Sequence, residues 1–209
     1  MRTLVAIAIA LFAGLTIPSK GFANDAAKGL VEDAHEARSV SRAFQAGDYD
    51  TAVKDAFLLA ANGNAVAQLV IGTAYRDGKG LPKNDEESAR WYRLAAEQGL
   101  ALAQYNLAVL YDQGKGVPED HAESAKWARL AAEQGYSEAQ LALAYKYRRG
   151  EGVPQDHLIA MMWLQLAVLQ RSTTARFAHK KFVEELTPAE RTRAGELVIA
   201  CAKKKFKGC

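Results

Sequence analysis

The residues best equipped for chemistry are three glycine pairs, Gly78/Gly80, Gly114/Gly116 and Gly150/Gly152, the histidines His121 and His157, and the cysteines Cys201 and Cys209. A Gly-x-Gly loop can cradle a phosphate, but a dinucleotide fingerprint needs a third glycine and a strand running directly into a helix. Here Pro82, Pro118 or Pro154 intervenes before the next helix, so the loops read as turns. His121 and His157 follow Asp120 and Asp156 and could be imagined as a metal pair, yet neither has a second ligand at i+4. They read as surface residues at helix starts, and His35 and His179 are single. No Gly-x-Ser-x-Gly, His-Glu-x-x-His or Cys/His nucleophile arrangement occurs, and the carboxylates are scattered along polar helix faces. The expectation is a protein without catalytic residues, metal or cofactor.

The cysteines are read through the compartment. Met1 and Arg2 give a positive start, Leu4 to Ile17 is an uncharged, largely apolar run, and Gly21-Phe22-Ala23 offers small residues to a signal peptidase. A secretory signal cut after Ala23 is expected, since fourteen apolar residues fall short of the roughly twenty that span a bilayer. In an oxidising compartment an even cysteine count usually means a bridge, and no Cys-x-x-Cys or nearby histidine completes a metal set. A Cys201–Cys209 disulfide is expected, with a periplasmic or secreted location. Beyond residue 23 the chain carries 25 Lys plus Arg against 24 Asp plus Glu. Such a balance gives no reason to expect nucleic acid as partner, and no later stretch is long enough for stable membrane insertion. The tail Lys203-Lys204-Lys205-Phe206-Lys207 is a short basic run, read as a solvated helix end with an anionic envelope surface as the alternative.

What positions all of these residues is a repeat. Trp91, Trp127 and Trp163 are spaced by thirty-six residues, and so are Tyr75, Tyr111 and Tyr147, the glycine pairs and the prolines. A period in the twenty-to-fifty range marks a solenoid whose units bury their apolar faces only by stacking. Leu69, Gly72 and Tyr75 fall at helical spacing in a first helix. The glycines and proline end it, and a second helix starts near Asn84 or Asp85, with Asp120 and Asp156 as the equivalent caps, and stops at Gly99. Gly72, Ala108 and Ala144 are expected to face Ala95, Ala131 and Ala167, with indole and phenol rings filling the gaps between hairpins. The rings' recurrence fits scaffold better than a sugar- or base-stacking platform.

The segments Ala103-Gln104-Tyr105-Asn106-Leu107-Ala108, Tyr111 through Asp120, and Trp127 through Gly135 resemble the Sel-one-like repeat, a relative of the tetratricopeptide repeat. The resemblance covers three copies, residues 64–171, and implies an all-α fold: a right-handed α-solenoid of stacked antiparallel helical hairpins. The third copy departs from the pattern, with Met161 for Ala89/Ala125 and Val168-Leu169-Gln170-Arg171 for Ala-Glu-Gln-Gly, which suggests that its second helix meets a terminal cap. Residues 24–63 read as a degenerate N-terminal cap and 172–209 as C-terminal capping helices. Thr187-Pro188-Ala189-Glu190 is the start signal of the last helix.

By resemblance to tetratricopeptide arrays, first helices line a concave groove. Its ligand-facing positions would be Thr73, Arg76 and Asp77, then Val109, Asp112 and Gln113, then Tyr145, Arg148 and Arg149. These columns vary while the framework columns repeat, as expected if each unit reads a different part of one extended partner. The resulting expectation is an exported scaffold for an envelope protein, with replacement of Arg148 and Arg149 by Glu abolishing capture at unchanged melting temperature. The alternatives are a cell-wall-active or β-lactam-recognising enzyme and a glycan-binding module using Tyr145. Cysteine-rich exported members of the family have been associated with β-lactams, but they carry a disulfide in each repeat, and this chain has none there.

Overall fold

The computed structural model describes residues 35–170 and 172–209, which form ten helices and no strand. The leader expected at 1–23 and the start of the expected N-terminal cap lie outside the described residues. After α1 (35–46) come α2 (Tyr49–Ala61), α3 (Ala65–Asp77), α4 (Asp85–Glu97), α5 (Ala101–Gln113) and α6 (His121–Ala132). They are followed by α7 (Ser137–Arg149), α8 (His157–Leu169), α9 (Thr173–Glu184) and α10 (Pro188–Lys203). The helix starts keep the thirty-six-residue interval: 65, 101, 137 and 173 for α3, α5, α7 and α9, and 49, 85, 121 and 157 for α2, α4, α6 and α8. The array therefore reaches half a unit beyond the three regular hairpins at each end, as an α-solenoid.

Local chemistry explains the interval. Asn84, Asp120 and Asp156 each accept a hydrogen bond from a first-turn amide of the second helix at 2.9 to 3.1 Å, a cap worth about 1 kcal/mol. Each first helix ends on a glycine in the left-handed region, Gly78, Gly114 or Gly150, whose N–H donates to a carbonyl of the last turn.

The second glycine of each loop has a different reason. A methyl group at Gly116 would overlap the carbonyl of Asp85, one at Gly152 would overlap that of His121, and one at Gly80 would come within 2.9 Å of the Tyr49 oxygen. The loop of each hairpin thus rests on the first residue of the preceding hairpin's second helix, an approach that only glycine permits.

Packing departs from expectation at one point. The nearest atoms to a methyl on Gly72 belong to Tyr92, at 2.7 Å, and not to Ala95. Tyr92 is completely buried, and the missing side chain at Gly72 makes room for its ring. In the later copies Ala108 and Ala144 stand at the Gly72 position, while Ala128 and Leu164 take that of Tyr92. The indoles are unequal too. Trp163 is buried, whereas Trp91 and Trp127 are half-buried, Trp91 meeting Phe57 of the preceding unit edge-on at 5.8 Å.

That inequality has a topological cause: both α9 and α10 pack on α8. Leu166 of α8 is 1% exposed, while Leu94 and Leu130, its equivalents on α4 and α6, are 38% and 39% exposed. The cap covers what the open array leaves bare. Cys201 and Cys209 are bonded with Cα atoms 5.5 Å apart. The clip turns the tail back so that the Gly208 N–H donates to Glu133 at 3.3 Å and Phe206 lies beside Gly135.

Candidate functional site

First helices of consecutive hairpins lie side by side, because side chains bridge α5 to α7 and α7 to α9. Lys146 of α7 donates to Asp112 of α5, and the guanidinium of Arg148 forms a two-pronged hydrogen bond with Glu185, just past α9, with Nε to Oε2 at 2.8 Å. Tyr145 of α7 packs edge-on against Phe182 of α9 at 5.4 Å, and Arg148 lies 4.7 Å over the same Phe182 ring. Of the nine residues expected from the sequence, Val109, Asp112, Gln113, Tyr145, Arg148 and Arg149 lie on the bridged helices α5 and α7, and Thr73, Arg76 and Asp77 lie on α3.

Their situations differ. Thr73 donates to the Leu69 carbonyl at 2.9 Å and shares a hydrogen bond with the Tyr92 hydroxyl at 3.1 Å, so its polar atom is committed inside its own hairpin. Arg76 and Asp77 form a local pair at 2.7 Å. This contact holds the Asp77 carboxyl below its usual range and raises the Arg76 guanidinium. Val109 is half-buried and Gln113 exposed. Arg149 is exposed, stacked 5.5 Å over the Tyr145 ring and 3.5 Å from Glu151.

Asp112 is the hub of this face. His121 Nδ1 lies 3.0 Å from it, and His121 Nε2 lies 3.2 Å from Glu119. Burial pushes the Asp112 carboxyl upward, but Lys146 and His121 outweigh that and leave it below the usual carboxylate range. Tyr105 of α5 meets Tyr136, which precedes α7, at 5.3 Å, and burial raises both phenols. Among the described residues no group of three or more His, Cys, Asp or Glu could hold a metal ion.

Three consecutive stretches, 65–100, 101–136 and 137–172, match the family model for the Sel1 repeat and together make up just over half of the chain. The chain belongs to the Sel1 repeat family. A Sel1 repeat protein from Oxalobacter formigenes has a similar structure, with a TM-score of 0.66 at 33% identity over 70% of this chain and 60% of that one. A protective antigen present in uropathogenic Escherichia coli strains, described as displaying an SLR fold, gives 0.65 at 34% identity over 77% of this chain and 35% of that one. The chain thus spans less than two thirds of the length of either. Among curated proteins none matches. Sel1 repeat proteins generally act as protein-interaction scaffolds, and the fold is typically non-catalytic.

Within this Sel1 array the sequence reading missed Lys146, which is 4% exposed and occupies the column of Ala74, Leu110 and Phe182. A charge in an otherwise apolar column was the available signal. It also missed the bridges from Arg93 to the Tyr111 hydroxyl and from Arg129 to the Tyr147 hydroxyl, which tie each second helix to the next first helix. Their signal was the constant eighteen-residue offset between arginine and tyrosine.

Proposed function

We propose that this Sel1 repeat protein is an exported scaffold that holds an envelope protein, or an extended segment of one, along the concave side lined by α3, α5 and α7. The observation that carries the reading is the division of labour among the nine residues. Thr73, Asp112 and Arg148 are tied to other elements of the chain, whereas Asp77, Gln113 and Arg149, which share one column, are exposed and differ in type, Asp77 and Arg149 pairing only with the nearby Arg76 and Glu151. An internally satisfied framework with a few open, varied positions suits recognition of a partner whose segments differ along its length. Export is supported by the apolar N-terminal run and by the Cys201–Cys209 bond, which persists in oxidising compartments. The similarity to a protective antigen is in keeping with it. No helix among the described residues is long and apolar enough to cross a membrane.

The test is a photo-crosslinking residue placed at Gln113, at Arg149, or at Leu94 on the outer side of α4, in cells that express the protein. The first two positions are expected to capture the same envelope protein and Leu94 is not. Equal capture from all three would remove the groove. Recovery of the chain in the cytoplasmic fraction with residues 1–23 retained would remove export. Turnover of a labelled β-lactam or muropeptide would replace the scaffold with an enzyme.

A further inference from the structure

We propose that the C-terminal end of the array docks on an anionic lipid surface through the outward face of α9. Phe177 is 85% exposed, more than any other large apolar side chain among the described residues. Helical spacing turns Ala175 and Phe182, both buried, toward the array formed by α7 and α8, and leaves Phe177 at the centre of the opposite face. Lys180 and Lys181 flank it one turn on, with Arg176 beside it, all exposed. Glu184 is the one acid of the helix. Phe177 continues the column of Leu69, Tyr105 and Leu141. Tyr105 is covered by Tyr136 from the next unit, whereas α10, which follows α9, packs on α8, and the Phe177 member of the column stays bare.

The charge of the molecule is segregated toward this end. Residues 172–209 carry nine Lys plus Arg and four Glu, a net of +5, whereas residues 35–170 carry fourteen Lys plus Arg and seventeen Asp plus Glu, a net of −3. The clipped tail adds the exposed Lys203, Lys204, Lys205 and Lys207. It lies at the edge where α9 begins, because Phe206 and Gln170 both rest against Gly135.

A protruding aromatic tip set among exposed cations suits a fluid anionic surface better than a shaped protein one. The ring enters at headgroup depth while the ammonium groups stay among the phosphates. Each cation close to such a leaflet strengthens partitioning by about fivefold. Two such ends repel each other, which disfavours a second copy as the occupant. This surface is at the end of the array and does not depend on the groove.

Sedimentation of the full mature chain with vesicles tests the proposal. Binding is expected to vesicles containing one part phosphatidylglycerol to three parts phosphatidylcholine, to be absent with phosphatidylcholine alone, and to be released by salt. Lys180→Glu/Lys181→Glu is expected to weaken binding by at least about thirtyfold and Phe177→Ala several-fold, both at unchanged melting temperature. Leu58→Ala, an exposed leucine at the other end of the array, is expected to leave it unaltered. Equal binding to both vesicle types, no binding to either, or indifference to the α9 substitutions would each overturn the proposal.

Discussion

The Lys146 ammonium is buried against the Asp112 carboxylate, thirty-four residues and one hairpin earlier in the chain, while its counterparts in the neighbouring units are Ala74 and Leu110. A buried cation is tolerable only while paired. Asp112→Ala is therefore expected to destabilise by about 2 kcal/mol, since it strands Lys146. Lys146→Leu, which restores the residue of the preceding column member, is expected to cost little, because Asp112 is 40% exposed on its side chain and keeps His121. The double variant should recover most of the loss in urea unfolding. Additive losses would show that the two side chains act separately.

The same contact fixes a pH dependence. The Asp112 carboxyl is lowered in the folded chain, so its contribution is fully present above the ordinary carboxylate pKa near 4 and is lost as pH falls through the lower native value. Stability of the parent is expected to rise with pH across that window more steeply than that of Asp112→Asn/Lys146→Leu. Parallel curves in acid unfolding would sink the assignment.

Arg148 holds the cap. Its guanidinium grips Glu185 and lies over Phe182, and it depresses the Glu185 carboxyl. The expectation that Arg148→Glu leaves the melting temperature unchanged is corrected by this geometry, because the substitution places two carboxylates together beneath α9. A loss of about 2 kcal/mol, or roughly 5 °C, is expected, with faster amide exchange in α9. Arg149→Glu is expected to be neutral for stability, so Arg149 is the cleaner probe of partner capture.

Gly152 has φ +72° and no room for a methyl group against His121. Gly152→Ala is expected to cost about 2 kcal/mol or more, combining left-handed strain with separation of the second and third hairpins. Gly63→Ala, at φ +83° with nothing within 4 Å, carries the strain alone. Equal losses in thermal unfolding would mean that contact at Gly152 contributes nothing.

Reduction of Cys201–Cys209 is expected to lower stability by about 2 to 3 kcal/mol on the chain-entropy estimate. It should also free Phe206 from Gly135, read as a change in protease cleavage after Lys204, Lys205 or Lys207. A Cys209→Ser variant that melts and is cut like the parent would show that the tail is held without the bond.

Much of the architecture was legible because a stacked array writes its constraints into the chain at a constant interval. Gly80, Gly116 and Gly152 repeat because each loop must rest on a backbone carbonyl, and Asn84, Asp120 and Asp156 repeat because each second helix needs a capped start. Those demands are local or nearest-neighbour, so spacing reveals them. The candidate face was legible only as positions. Spacing could place Thr73, Asp112 and Arg148 on it, but not the contacts with Tyr92, Lys146 and Glu185 that occupy them.

The sequence by itself determined the thirty-six-residue hairpin, the number of regular copies, the glycines that stop each first helix and the residues that cap each second one, because these follow from backbone geometry and apolar periodicity. Only the tertiary structure decided that Tyr92 fills the space left at Gly72, that Lys146 is buried on Asp112, and that α10 folds over α8 and covers Leu166. Each depends on which side chains from different units meet and how much volume and charge they bring, and a repeat period carries no information about either.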